Sequence, residues 1–248
     1  MKKILYSLKE GEIKNSRKPI LVIPLFICAI FFSQTIFAQS NEAKKNEIYS
    51  KLNCCACQVS FDKCVCSEAK EIKAYIDPLL ENGATKEDIF FRVAKKYGIN
   101  TIIDSQIRHA VEKRLINEAG KRRPQIALEP TSFNFGSISK KQGKISTIFK
   151  VHNKGNASLV ITNIKVSCPC VTASLKVAKN KSSYFGINGA FPNWKETIRP
   201  GAFKKLEVSL SLNHPSMGTG KQMRAIFITS NDPVYPQTTL TVEAKVEE

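Results

Sequence analysis

The sequence predicts an α+β chain of two domains: a small three- to four-helix bundle followed by an antiparallel β-sandwich. Apolar residues from Glu42 to Ala119 recur at the spacing of one helix face, whereas from Ile126 onward apolar and polar residues alternate. Between these halves the charged stretch Gly120–Pro124, "GKRRP", reads as a linker. A chain of 248 residues is long enough for two modest domains, each with its own core. With 42% hydrophobic and 24% charged residues, it is neither a disordered chain nor a multi-pass membrane protein.

Residues 1–38 read as a targeting segment. Six basic residues from Lys2 to Lys18 precede the uncharged apolar run Ile20–Phe32, "ILVIPLFICAIFF". That run is short for a spanning helix, which needs roughly 20 residues. Ala38 before Gln39 is a suitable cleavage point, so the first reading is a secretory signal peptide. Because the charged region is long and holds Glu10 and Glu12, an uncleaved anchor, with membrane association through it, is the second. The expected location is accordingly export to the periplasm, free or anchored. Cys28 serves as apolar filling.

The helical half divides into four segments. The first covers about Ala43 to Leu52. After Ser67 as N-cap, Ala69, Ile72, Ile76, Leu79 and Leu80 mark the second, with Pro78 a kink or end point. Asn82-Gly83 stops it and Thr85 caps a third helix, whose stripe is Ile89, Phe90, Val93, Ala94 and Tyr97, closed by Gly98. The fourth, about Asp104 to Ala119, uses Ile103, Ile107, Ala110, Val111 and Leu115.

In the second half, "SFNFGSI", "ISTIFKVHN", "LVITNIKVS", "FKKLEVSLSL", "RAIFITS" and "TTLTVEAKV" are β-branched and alternating, separated by turns such as "NKGN", "HPSMGTG" and "SNDPVYP". Six or seven short strands at this spacing make a sandwich. The segment from about 179 to 200, with "YFGINGAFPNW", interrupts the rhythm and reads as an insertion loop. Its aromatic residues serve either as a contact surface or as a cover for the open end of the sandwich.

Chemistry is concentrated in cysteine. Five of the eight cysteines lie between Cys54 and Cys66 in "CCACQVSFDKCVC". Cleavage after Ala38 leaves seven, an odd number, so one thiol is free, metal-bound or open to a partner. Three readings of the cluster stay open. Cys54 and Cys57 form a CxxC whose sulfurs can make and break a disulfide, with Lys51 and Lys63 favouring a thiolate. Cys54, Cys57, Cys64 and Cys66 form two close pairs able to satisfy a tetrahedral Zn(II), or a Cu(I) that prefers sulfur. The third reading is structural disulfides. Cys55, Cys168 and Cys170 are further candidate thiols. The pair in "CPC" reads as a reducible disulfide, a soft-metal pair, or two buried structural thiols.

The stretch "KLNCCACQ" followed by "SEAKEIKAYIDPLLENGATKEDIFFRVAKKYG" resembles the redox domain of the cytochrome c maturation protein H (CcmH/CycL) family. Leu52, Cys54, Cys57, Gly83, Thr85 and Tyr97-Gly98 carry the resemblance. It implies a three-helix domain in which Cys54 and Cys57 exchange disulfides with an apocytochrome c before haem attachment. Asn53 stands where that family usually has arginine, and Cys55, Cys64 and Cys66 are additional. The second half, through "FNFGSI", "FKVHNKGNASLVITNIKVSCPCVTAS" and "IFITSNDPVYPQTTLTV", resembles a bacterial family of Ig-like domains (domain of unknown function 1573) related to the Hydin and major-sperm-protein sandwich. That resemblance implies a fold and is nearly silent on function; partner binding is the role expected of this half. The family's Ser-Cys-Gly-Cys-Thr is here Ser167-Cys168-Pro169-Cys170-Val171.

The net charge is +17, of which +13 remains beyond residue 38. The lysines are dispersed, and no aromatic residues interleave with "GKRRP", so no nucleic-acid partner is expected. His109, His152 and His214 lie apart without carboxylates at motif spacing, and there is no Gly-rich phosphate loop. The expected activity, if enzymatic, is thiol–disulfide exchange on an envelope protein client.

Overall fold

The computed structural model describes residues 42–54, 59–177, 180, 181 and 184–248. The targeting segment with Cys28, and also Cys55 and Cys57, lie outside the described residues. Residues 42–50 form α1, followed by α2 (Ser67–Glu81), α3 (Lys86–Tyr97), the short 3-10 turn Ile99–Thr101 and α4 (Ser105–Ala119). The apolar stripes converge as their spacing requires. Ile48, Leu52, Phe61, Ile72, Ile76, Ile89, Val93 and Leu115 are almost wholly buried in one cluster. Thr85 accepts the backbone N–H of Asp88 at 3.2 Å, and Gly98 follows Tyr97 at φ 97°, a conformation open to glycine. Pro78 does not end α2, which runs three residues further to Glu81. Ile103, expected in the α4 stripe, is 45% exposed because it precedes the N-cap Asp104.

Ten strands follow: β1 (Ile126–Glu129), β2 (Ser132–Ser139), β3 (Lys144–Asn153), β4 (Leu159–Val166), β5 (Val171–Val177), β6 (Asn180–Lys181), β7 (Glu196–Ile198), β8 (Phe203–Ser211), β9 (Gly220–Ser230) and β10 (Gln237–Glu247). They form two sheets, ordered β1-β3-β8-β5-β6 and β2-β10-β9-β4-β7. Phe149, Val151, Leu206 and Val208 from the first sheet share a buried core with Ile161, Ile164, Ile226, Ile228 and Val242 from the second. The sandwich departs from the antiparallel expectation at one edge. The chain passes from β1 in one sheet to β2 in the other, and β2 therefore runs parallel to β10, with Ser132 opposite Thr241. Alternation reports a strand but not its direction, so this pairing leaves no trace in the sequence pattern.

The 179–200 segment is partly built into the sheets rather than a plain loop. β6 and β7 fall within it, and Ala173 and Phe185 exchange both backbone hydrogen bonds, at 3.0 and 2.8 Å. Phe185 is wholly buried and meets Trp194 edge-on at 4.7 Å, while Tyr184 and Phe191 remain exposed.

Residues Ala43–Glu248 form a single compact unit. Val234, in the turn between β9 and β10, is buried among the helical core residues. The Ile99 N–H donates to the Val234 carbonyl at 3.2 Å. A Cβ at Gly98 would lie 2.8 Å from the Gln237 carbonyl oxygen, so glycine permits this approach. Burial pushes the Tyr97 and Tyr235 phenols, on either side of the same junction, above their ordinary range. The "GKRRP" stretch is held as well. A Cβ at Gly155 would strike the Arg123 carbonyl at 2.4 Å, and the Asn156 N–H donates to that oxygen at 3.1 Å.

Candidate functional site

The site starts from a small hairpin. Leu52 bridges Ile102, and the Asn53 N–H donates to the Thr101 carbonyl at 2.7 Å, which fixes the end of α1 against the 3-10 turn. Cys54 then donates its N–H to Val59 O at 2.9 Å, and Phe61 donates to Leu52 O at 3.0 Å. Phe61 is fully buried and anchors the returning limb. Its position brings Cys64 and Cys66 back beside Cys54.

Three sulfurs converge there. Cys54 Sγ lies 3.3 Å from Cys66 Sγ, and Cys66 Sγ lies 3.4 Å from Cys64 Sγ. All three sulfur atoms fall within 4.8 Å of one another. Cys54 and Cys64 are buried and Cys66 is half-buried, while Val65 between them projects outward at 78% exposure. Cys66 is also the N-cap of α2: the Ala69 N–H donates to its sulfur at 3.4 Å. Ser67, expected as the cap, is instead the first helical residue, one step past the turn that the cysteine closes. The positive end of a 15-residue helix thus faces the sulfurs and complements the negative charge of a thiolate centre.

The lysines are arranged differently from the sequence expectation. Lys51 donates to Asp104 Oδ2 at 2.9 Å, so its charge is already offset, and Lys63 is exposed. The cation built into the site is Lys73, whose ammonium donates to the Cys64 carbonyl at 2.8 Å and lies 5.6 Å from the Tyr49 ring centroid. Lys73 lies seven residues beyond Cys66 on α2, and its role follows from the fold of the CxC segment rather than from any motif.

Cys54 also borders a polar cleft of about 450 Å³ between the helices and the sandwich. Asn53 and Tyr97 line one wall; Thr131, Gln237 and Thr241 line the other. Among the described residues, Asn53 Oδ1 is buried without a hydrogen-bond partner, while the Tyr97 hydroxyl is approached by the Lys96 ammonium.

Zn(II) or Cu(I) fits this donor set. A tetrahedral centre with Zn–S bonds of about 2.3 Å separates its sulfurs by roughly 3.8 Å, which is within half an ångström of the 3.3 and 3.4 Å contacts. Three of the four cysteines expected as ligands are brought together; the fourth, Cys57, lies outside the described residues.

Cys168 and Cys170 sit apart from this cluster, at the β4–β5 turn, joined to each other in a disulfide. They are therefore neither two structural thiols nor a soft-metal pair in this state. His109 is exposed on α4. Among the described residues, no helix is long and apolar enough to cross a membrane.

Residues 126–183 match the family described as a protein of unknown function, DUF1573. No curated protein matches the chain. Among solved structures, a protein of unknown function from Porphyromonas gingivalis W83 is similar at 18% identity and a TM-score of 0.39, over 50% of this chain and 48% of that one. PapD-like domain 7 of human CEP192 is similar at 10% identity and a TM-score of 0.33, over 51% and 87%. The periplasmic chaperone SfaE is similar at 8% identity and a TM-score of 0.33, over 50% and 59%. This chain thus spans about half the length of the Porphyromonas protein it matches. The α+β architecture with its β-sandwich agrees with the sequence expectation, and residues 126–183 are similar to the expected family.

Proposed function

We propose that the protein is an exported, sulfur-based module whose Cys54–Cys64–Cys66 cluster holds a soft metal ion, Zn(II) or Cu(I). The observation that carries this reading is the convergence of three sulfur atoms within 4.8 Å from positions twelve residues apart. Cys54 would supply a buried thiolate from the hairpin, and Cys64 and Cys66 the pair from the CxC turn. Cys57 is the candidate fourth ligand. The bound ion would clamp the hairpin to α2 and, with an open coordination position, accept or deliver metal. The helix N-terminus at Cys66 and the Lys73 hold on the Cys64 carbonyl support the same geometry.

Native mass spectrometry of the protein, purified without chelators and under reducing conditions, tests it. One Zn(II) or Cu(I) per chain is expected, with protection of Cys54, Cys64 and Cys66 from alkylation. Cys64→Ser should weaken the metal by more than the roughly 10–100-fold that losing an outer-shell partner costs. A metal-free protein that takes up neither ion sinks the reading.

A second reading, thiol–disulfide exchange, is favoured by the 3.3 Å approach of Cys54 and Cys66 and by the polar cleft beside Cys54. Here Cys54, with Cys57 as its CxxC partner, exchanges with an envelope protein client, apocytochrome c on the CcmH-type resemblance. The unsatisfied Asn53 Oδ1 would accept a hydrogen bond from the client. Single Cys54→Ser or Cys57→Ser variants should then trap mixed disulfides in cells; their absence rejects exchange.

A further inference from the structure

The Cys168–Cys170 disulfide spans a sequence separation of only two residues. Closing so small a loop constrains the unfolded chain very little, so this bond is a poor staple. Its surroundings suit a different task. The Arg224 Nε–H donates to Cys170 Sγ at 3.2 Å, from β9, the strand paired with β4. Among the described residues, the rest of that guanidinium is held by neutral groups: Met223 O at 2.9 Å, Gln222 Oε1 at 2.7 Å and Ser216 O at 3.3 Å. None of the ion pairs among the described residues involves Arg224. Burial pushes Arg224 below its ordinary range. The second sulfur has a donor as well, because the Cys170 backbone N–H donates to Cys168 Sγ at 3.2 Å.

We infer that Cys168–Cys170 is a redox site, separate from the helical cluster, which accepts two electrons from a protein or peptide dithiol. The client thiolate attacks Cys168 Sγ, since Cys168 is the less deeply buried residue of the pair, 7% exposed against 1% for Cys170, and sits between the exposed Ser167 and Pro169. The Cys168–Cys170 bond breaks, a Cys168–client disulfide forms, and Cys170 leaves as a thiolate beside the Arg224 guanidinium. The second client thiolate then attacks the client sulfur of that mixed disulfide, releasing Cys168 as thiolate. The client ends as a disulfide, the pair as a dithiol, and the two client protons pass to the pair or to solvent. The unneutralised guanidinium stabilises the reduced product more than the neutral disulfide, which makes the pair a readier oxidant.

Glutathione serves as the probe. The full-length protein is equilibrated in buffers of graded reduced-to-oxidised glutathione ratio, acid-quenched and alkylated. The tryptic peptide Val166–Lys176 holds both sulfurs and no other cysteine, so its mass reports this site alone. The wild-type pair should become half reduced within the glutathione range while circular dichroism stays native. Arg224→Met should shift the midpoint about tenfold toward the disulfide, which is about 30 mV for two electrons, and Arg224→Lys should recover part of the shift. A wild-type pair that stays oxidised across the range and opens only on unfolding overturns the inference. So do Arg224 variants that titrate with the wild type. Neither result depends on whether the helical cluster binds metal.

Discussion

Cys66 has two duties that one substitution can separate. Its sulfur belongs to the three-cysteine cluster and also caps α2 by accepting the Ala69 N–H. Serine is among the preferred N-caps, whereas alanine offers no acceptor. Cys66→Ser should therefore leave the melting temperature unchanged or slightly raised while weakening metal binding. Cys66→Ala should lose both, with about 1 kcal/mol of stability and roughly 2–4 °C in Tm, read by thermal denaturation beside metal titration. The sequence pointed to Cys54, Cys64 and Cys66 as ligand types but not to the capping sulfur, because helix-start signals favour oxygen and so selected Ser67. Lys73 was illegible for a related reason. Its partner is a backbone carbonyl, whose position no residue type announces.

Among the elements, α4 shows how an end is secured. Asp104 accepts the N–H groups of Gln106 and Ile107 at 3.0 and 3.2 Å and receives the Lys51 ammonium from the end of α1. The Lys51 hydrogen bond, followed by those backbone donors, holds its carboxyl below the ordinary 3.8. A depressed folded value means that this stabilisation is complete above the ordinary carboxylate range and is lost as pH falls through the folded value. Asp104→Asn keeps a capping oxygen but removes the charge. Thermal melts between about pH 5 and pH 2 should show a smaller loss of Tm for the variant than for the wild type, and identical acid profiles would refute the assignment. The helices were legible because each apolar stripe is buried by its own neighbours. The short strands β6 and β7 were not, since they are too brief to show a period, and their pairing comes from β5 and β4.

For the whole molecule, the junction at Val234 decides how the halves behave. A side chain from the sandwich turn fills the helical core, and Tyr235 packs against both cores. Helix ellipticity and the fluorescence of Trp194, which lies in the sandwich, should therefore lose their signals in one coincident transition. Val234→Ala should lower both midpoints together by roughly 2 kcal/mol of stability. Separate transitions would show that the halves are independent. A linker rich in charge gave no sign of this coupling, because the residue that fills the helical core lies in a turn more than a hundred residues beyond it.

The placement of β10 between β9 and β2 has a consequence for biosynthesis. β2, an early strand of the sandwich, has no partner in its sheet until β10, translated after every other strand described, has emerged. Until then the nascent helices lack the plug that Val234 provides at their base. The sulfurs of the cluster, made far earlier, thus wait through most of the chain's synthesis for the cleft wall beside Cys54 to be completed.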